Sequence, residues 1–189
     1  MTPVDKRRRY LALLGSINIG GNRIKMVDLK AALEAEGFAN IRTVAASGNV
    51  ILDDDRDPAV LEPALESIVE QRFGFKSCAM VRTMDEVRGA IAHNPFHGEE
   101  PHHGSDKMVH SIFLSKQPDK AAVDALIDEH KAKGSERLAL GERVLFLDYV
   151  HGVGVSDLSS KFLERRLGVK GTARNMNSLK NILSKMEQA

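Results

Sequence analysis

Tryptophan is absent from the 189-residue chain, cysteine occurs once, and 7 Phe with 2 Tyr are its only aromatic side chains. The single cysteine, Cys78, excludes an intrachain disulfide framework and any zinc site built on several thiolates. Such usage fits a reducing cytoplasm, the compartment expected here. So few rings argue against a sheet that reads single-stranded RNA by base stacking, and the inner-strand segment Val50-Ile51-Leu52 is aliphatic where such a sheet needs aromatics. Neither charge sign is in excess: 27 Lys+Arg against 26 Asp+Glu leave +1, so no global field demands a polyanionic partner. No apolar window nears the roughly 18 residues that a membrane-spanning helix needs, and no membrane partner is expected. Lys6-Arg7-Arg8-Arg9 ahead of Tyr10–Leu14 has the outline of a secretion signal. The apolar run nevertheless breaks at Gly15-Ser16 and Asn18 and no small-x-small cleavage site follows, so residues 1–8 read as a basic arm entering a strand.

What is present is periodicity. With 42% hydrophobic residues the chain can build a core, and its length allows one domain or two small ones. Tyr10–Leu14 is almost continuously apolar, as in a central strand. After the turn formers of Ser16–Arg23, residues Met26, Leu29, Ala32 and Leu33 follow helical spacing up to Gly37. Ile41–Ala45 and Val50–Leu52 make a hairpin across Ala46-Ser47-Gly48-Asn49. Asp57 as a cap and Pro58 at the first position open a helix carrying Leu61, Leu65, Ile68 and Val69; Gly74 ends it, and Ser77–Arg82 is a fourth strand. Thr83 to Glu86 is a capping box for a helix ending near Asn94-Pro95, and a polar, histidine-rich linker, 95–107, follows. The second half has a strand at Val109–Leu114, a helix after Asp119, a hairpin of Glu136–Leu140 with Arg143–Tyr149, a helix capped by Ser156, a thin strand at Thr172–Arg174 and a last helix after Asn177.

Both halves run strand, helix, strand, strand, helix, strand, with a helix appended. That order predicts an α/β (α+β) fold of tandem ferredoxin-like split-βαβ units, 9–94 and 108–189, without evident residue-by-residue self-similarity. A right-handed crossover makes the first two strands of a unit parallel. It thereby brings Ser16–Arg23 beside Ser47-Gly48-Asn49 at one rim of the sheet, with Gly74-Phe75-Lys76 near both.

Four separated segments carry a resemblance that spans nearly the whole chain: Tyr10–Leu14 with Ile17-Asn18-Ile19-Gly20-Gly21, then Ser47-Gly48-Asn49-Val50, Asn94-Pro95-Phe96, and Gly171-Thr172-Ala173-Arg174-Asn175. In this order they make the chain similar to the bacterial DUF1697 family. The resemblance implies an α/β fold of tandem ferredoxin-like character and no established activity. The chain departs from the family pattern at Gly15-Ser16, where Arg-Gly is usual, at Ala46, where glutamine is usual, and at Met176, where tryptophan is usual.

The candidate binding residues are Asn18, Gly20, Gly21, Asn22, Arg23, Ser47, Gly48 and Asn49, with Arg174 and Asn175 near the carboxyl end. Glycine lets backbone N–H groups approach a ligand while Asn, Ser and Arg supply donors, a set that suits an anion; the same glycines would equally serve turn geometry alone. Arg174 would clamp a carboxylate or phosphate, or tie the last helix to the sheet. Lys161, Arg165, Arg166, Lys170, Arg174, Lys180 and Lys185 give the last third a local positive excess, which keeps a nucleic-acid backbone open as a partner beside the plain reading of a solvated helical face. His93, His97, His102 and His103 with Glu99 and Glu100 lack ligand spacing, so no metal site is assigned; no cofactor is expected either. Cys78 reads as a buried, inert thiol, Gly152–Ser156 as a flexible helix entry or a second small anion cradle, and Ser16, Ser47 and Ser156 lack the context of an activated nucleophile. The leading expectation is a small anionic or phosphorylated ligand, or a nucleic-acid backbone, at the Gly/Asn/Ser-rich rim. The alternatives are an enzyme at the same edge and an interaction protein whose loops serve folding. No catalytic residue is assigned, and nothing in the pattern sets an oligomeric state.

Overall fold

A continuous apolar run such as Tyr10–Leu14 places a central strand between covered faces. A computed structural model describes residues 7–98, 104–132 and 134–188. Lys6 of the expected basic arm and Glu99, Glu100, His102 and His103 of the expected linker lie outside the described residues. The first unit comprises Met1–Val87 with Ile182–Ala189, and the second Arg88–Asn181.

In the first unit β1 (Arg8–Leu14), α1 (Met26–Ala35), β2 (Ala39–Val44), β3 (Asn49–Asp54), α2 (Pro58–Phe73) and β4 (Ala79–Thr83) form a four-stranded antiparallel sheet of order β2-β3-β1-β4, and α3 (Met84–Ala92) follows. Tyr10, Ala12 and Leu14 of β1 pack with Val50 and Leu52 of β3, Val81 of β4, Leu29 and Leu33 of α1, and Leu61, Leu65 and Val69 of α2. Leu11 and Leu13, on the opposite face of β1, are also fully buried, which is why this strand reads as a continuous apolar run.

The second unit repeats the order with β5 (Val109–Leu114), α4 (Lys120–Lys131), β6 (Arg137–Gly141), β7 (Val144–Asp148), α5 (Ser160–Leu167) and β8 (Gly171–Asn175), and α6 (Met176–Glu187) follows. Its sheet is β6-β7-β5-β8, again antiparallel throughout. Ile112, Leu114, Val123, Leu126, Leu145, Leu147 and Leu163 form its core. The expected tandem ferredoxin-like architecture is therefore the observed one. Among the described residues no helix is long and apolar enough to cross a membrane.

Local chemistry departs from the sequence reading in four places. Asp57 stands at the start of α2 without a side-chain cap bond; its carboxylate pairs with Arg8 at 2.7 Å instead. α5 begins four residues beyond Ser156 and is capped by Ser159, whose hydroxyl accepts from Phe162 N–H at 3.3 Å. Cys78 precedes β4 and is half-exposed rather than buried, because the strand starts only at Ala79.

The fourth departure is a local self-similarity. Val81-Arg82-Thr83-Met84 and Ala173-Arg174-Asn175-Met176 end the edge strand of each unit and start the helix behind it. Both arginines are buried, and each Nη1 donates to the carbonyl of the residue before it, Val81 at 2.9 Å and Ala173 at 2.8 Å. The next residue caps: Thr83 Oγ1 accepts from Glu86 N–H, and Asn175 Oδ1 from Ser178 N–H at 2.9 Å. The same joint thus occurs twice, with the arginine and methionine kept and the other two residues changed. Thr83→Ala and Asn175→Ala should each lower unfolding free energy by about 1 kcal/mol, the usual worth of a lost N-cap. Urea unfolding measures this; a loss at Thr83 with none at Asn175 would contradict the equivalence.

Candidate functional site

Because β1 runs antiparallel to both β3 and β4, its carboxyl end meets the starts of both. Leu14 N–H donates to the Gly48 carbonyl at 2.8 Å and Gly15 N–H to the Cys78 carbonyl at 2.7 Å; the Ser77 hydroxyl closes the stitch on the Gly15 carbonyl at 2.7 Å. The 15–25 loop, the 45–48 bend and the entry to β4 therefore share one rim.

The asparagines of that rim act as struts. Asn18 Nδ2 donates to the carbonyls of Ala46 (2.7 Å) and Ile24 (3.0 Å), while its Oδ1 accepts from Ile24 N–H at 2.8 Å. Asn22 Nδ2 donates to the Ser16 carbonyl, and buried Asn49 donates to the Val44 carbonyl and to Ser47 Oγ. Gly48 is required by space and by conformation. At φ 77 a Cβ would stand 2.8 Å from Ile17 Cγ1 and 2.9 Å from the Leu14 carbonyl. Gly20 and Gly21, at φ 58 and 98, are exposed with open space where a Cβ would be, and among the described residues no hydrogen bond engages their N–H groups. Arg23 is exposed beside them and donates to the Asn22 carbonyl at 2.6 Å. Arg174 and Asn175 belong to the second unit, in the strand-to-helix joint described above.

The second unit has a counterpart of the rim. Leu114 N–H donates to the Arg143 carbonyl and Ser115 N–H to the Lys170 carbonyl, both at 2.9 Å, and the Gln117 side chain bridges Arg143 N–H and the Gly141 carbonyl as Asn18 bridges its neighbours. The loops differ in length. Residues 15–25 separate β1 from α1, whereas 115–119 suffice between β5 and α4.

Several other sequence candidates are engaged locally. Arg166 pairs with Glu129 at 2.5 Å and Lys180 with Asp106 at 2.7 Å, so parts of the basic stretch are charge-balanced. His97 also meets Asp106, at 3.1 Å. Among the described residues no group of three or more His, Cys, Asp or Glu is placed to hold a metal ion.

One arrangement carries no sequence signature: His130, in the last turn of α4, and Glu136, just before β6. His130 Nε2 lies 2.7 Å from Glu136 Oε2, and the two side chains are only 12% and 11% exposed. Burial alone would raise the Glu136 carboxyl; the Ser156 hydroxyl, His130 and its own backbone N–H outweigh that and hold it at about 2. The phenol of Tyr149 is pushed up to about 12 by burial and by that nearby negative charge. Six residues of sequence separation and a serine twenty residues further on form no recognisable motif, and Ser156 read as a helix cap.

The family described as "Protein of unknown function (DUF1697)" matches residues 7–146. A solved structure of a conserved bacterial protein from Streptococcus pneumoniae is similar at 18% identity and TM-score 0.70, covering 95% of this chain and 99% of that one. At that identity the likeness shows the fold. No curated protein matches the chain.

Two outcomes follow from the geometry. Gly48→Ala adds an overlap to an unfavourable backbone angle and should lower stability by about 2–4 kcal/mol, whereas Gly20→Ala, with free space, should lower it by about 1–2 kcal/mol; equal losses in denaturant would show that the overlap relaxes. The Glu136 carboxyl is held below its ordinary 4.5, so between about pH 4.5 and pH 2 the native state binds fewer protons than the unfolded chain. Its stabilisation is complete above that interval and is lost as pH falls through it. Glu136→Gln should be less stable than the parent by about 2 kcal/mol at pH 7, a gap that closes on acidification; a pH-independent gap would contradict it.

Proposed function

We propose that this chain, which belongs to the DUF1697 family of proteins of unknown function, binds a small anionic or phosphorylated ligand at the rim of its first unit. A family without an assigned activity and a structural relative that shares only the fold leave the site itself to carry the argument. The observation that carries it is the contrast between the two rims. The backbone stitch and the amide strut occur in both units and so belong to the fold, whereas the segment Gly20-Gly21-Asn22-Arg23 lies in a loop more than twice as long as its counterpart.

That segment supplies donors and carries no carboxylate. Gly20 and Gly21 are exposed and among the described residues no hydrogen bond engages their N–H groups, Arg23 and Lys25 add positive charge, and residues 15–25 contain no carboxylate. Asn18 and Asn22 brace the loop, and Asn49 with Ser47 the bend beside it, which supports a site held in shape before a ligand arrives. Asp28 in the first turn of α1 already answers the positive end of that helix, so the loop amides rather than the helix terminus are the partners of the anion. The reading is one of binding and assigns no catalytic group.

The test is an amide chemical-shift titration of the full chain with inorganic phosphate, and separately with a short single-stranded oligonucleotide at several salt concentrations. Phosphate should move the Gly20 and Gly21 resonances saturably, and Arg23→Glu should weaken that binding about tenfold through loss of a charge-assisted hydrogen bond. No movement at these two amides, or movement that Arg23→Glu leaves intact, would remove the reading. Oligonucleotide binding that is far tighter than phosphate binding and falls steeply with salt would replace the small ligand by a nucleic-acid backbone.

A further inference from the structure

The second unit contains a cleft that owes nothing to the rim. It has a volume of about 500 Å³ and lies among the end of α4, residues 134–136, the start of α5 and the segment before it. Leu126, Leu158 and Phe162 give it apolar walls, and the His130–Glu136 pair gives it a polar end. We propose that this cleft binds a small neutral or cationic hydrogen-bond donor, an alcohol or an amine carried on an apolar body, with the His130 imidazole accepting from it.

The imidazole is oriented from several sides. A carboxylate only accepts, so the 2.7 Å contact to Glu136 Oε2 places the hydrogen of a neutral imidazole on Nε2 and the lone pair on Nδ1. Among the described residues no hydrogen bond engages Nδ1. The Ser156 hydroxyl and the Glu136 backbone N–H favour the charged form of that carboxylate. Gly134 closes over the pair: a Cβ there would overlap His130 Nε2 and stand 2.6 Å from Glu136 Oε2. A buried hydrogen-bonded polar pair adds little to the stability of a fold, since two apolar residues of the same shape commonly do as well or better. Its retention at the end of an apolar cleft, with an acceptor left over, has the form of a binding group.

A second observation is independent of the pair. In the first unit residues 55–57 connect β3 to α2, whereas residues 149–159 connect β7 to α5. That added segment builds one wall of the cleft, and it leaves Val155 76% exposed at the site. Its charge selects the ligand. Glu129, Glu136 and Asp157 border the cleft together with His130, which pairs with Glu136, and His151; Arg166 pairs with Glu129, and the Arg165 guanidinium lies over the Phe162 ring. A donor is welcomed there and an anion is repelled.

Benzyl alcohol, benzylamine and benzoate share one apolar body and differ in head group, so their titration into the labelled full chain tests the assignment. Either of the first two should shift the amides of Gly134, Ser135, Glu136 and Phe162, and benzoate should not; the alcohol alone would mark a neutral donor, the amine alone a cation. His130→Gln should weaken binding about tenfold, the effect of losing one well-placed hydrogen bond. Val155→Trp, at an exposed position, should block the cleft without disturbing the core and serves where His130→Gln does not fold. The proposal is overturned if none of the probes shifts these amides, if benzoate binds as well as the others, if binding survives Val155→Trp, or if a folded His130→Gln binds as the parent does.

Discussion

At the carboxyl end of β1 two backbone donors must be satisfied at once, and that requirement organises the first unit. Leu14 N–H finds the Gly48 carbonyl and Gly15 N–H the Cys78 carbonyl, one toward each flanking strand. A buried N–H left unpaired costs about 1–3 kcal/mol, so the bends before β3 and β4 are drawn to the end of β1 by strand order, with or without a ligand. Gly48 is where the closure is tightest, because Ile17 and the Leu14 carbonyl occupy the place of a side chain. Leu114 and Ser115 close the second unit in the same manner, which identifies the stitch as a property of the β2-β3-β1-β4 order.

The two units therefore act as controls for each other. What they share is fold: the stitch, the amide strut made by Asn18 or Gln117, and the buried arginine followed by a capping residue at Arg82-Thr83 and Arg174-Asn175. What one has and the other lacks is not demanded by the fold. By that measure two segments stand out, 15–25 in the first unit and 149–159 in the second, each several residues longer than its counterpart. The comparison also separates Arg174 and Asn175 from the other sequence candidates, since a joint that recurs at Arg82 and Thr83 has a structural account already.

Elements whose signal is local were legible in the sequence. β1, a central strand, reads as the apolar run Tyr10–Leu14; α1, α2 and α4 carry clear buried stripes; the Thr83–Glu86 capping box forms as its spacing implies, with Thr83 N–H donating to Glu86 Oε2 at 2.7 Å. The rim was legible because it follows from topology. Competition between partners was not. Asp57 looks like a cap but is taken by Arg8, and Ser156 looks like a cap but serves Glu136 and the N–H of Leu158, leaving Ser159 to start α5. The repeated joint was hidden because Val81-Arg82-Thr83-Met84 and Ala173-Arg174-Asn175-Met176 share only the arginine and the methionine, while what they have in common is the arginine's bond to the preceding carbonyl and a cap from the residue after it. The His130–Glu136 pair was invisible for a similar reason: its partners come from a helix end, a strand start and a loop, and only burial makes their charges matter.

The two longer segments leave opposite chemistry unsatisfied. In 15–25 the polar side chains are consumed by the loop itself and backbone donors remain outside, with no carboxylate among them. Around 149–159 the cleft is bordered by the carboxylates of Glu129, Glu136 and Asp157 and by the His130 imidazole, the acceptor in the proposed binding. An anion and a donor ligand therefore sort between these places by charge alone. They also respond differently to salt: attraction to the exposed loop is screened over a Debye length of about 8–10 Å, whereas a hydrogen bond formed against a side chain that is 12% exposed is hardly screened at all. Ionic strength thus distinguishes which segment a bound molecule has chosen before any residue is changed.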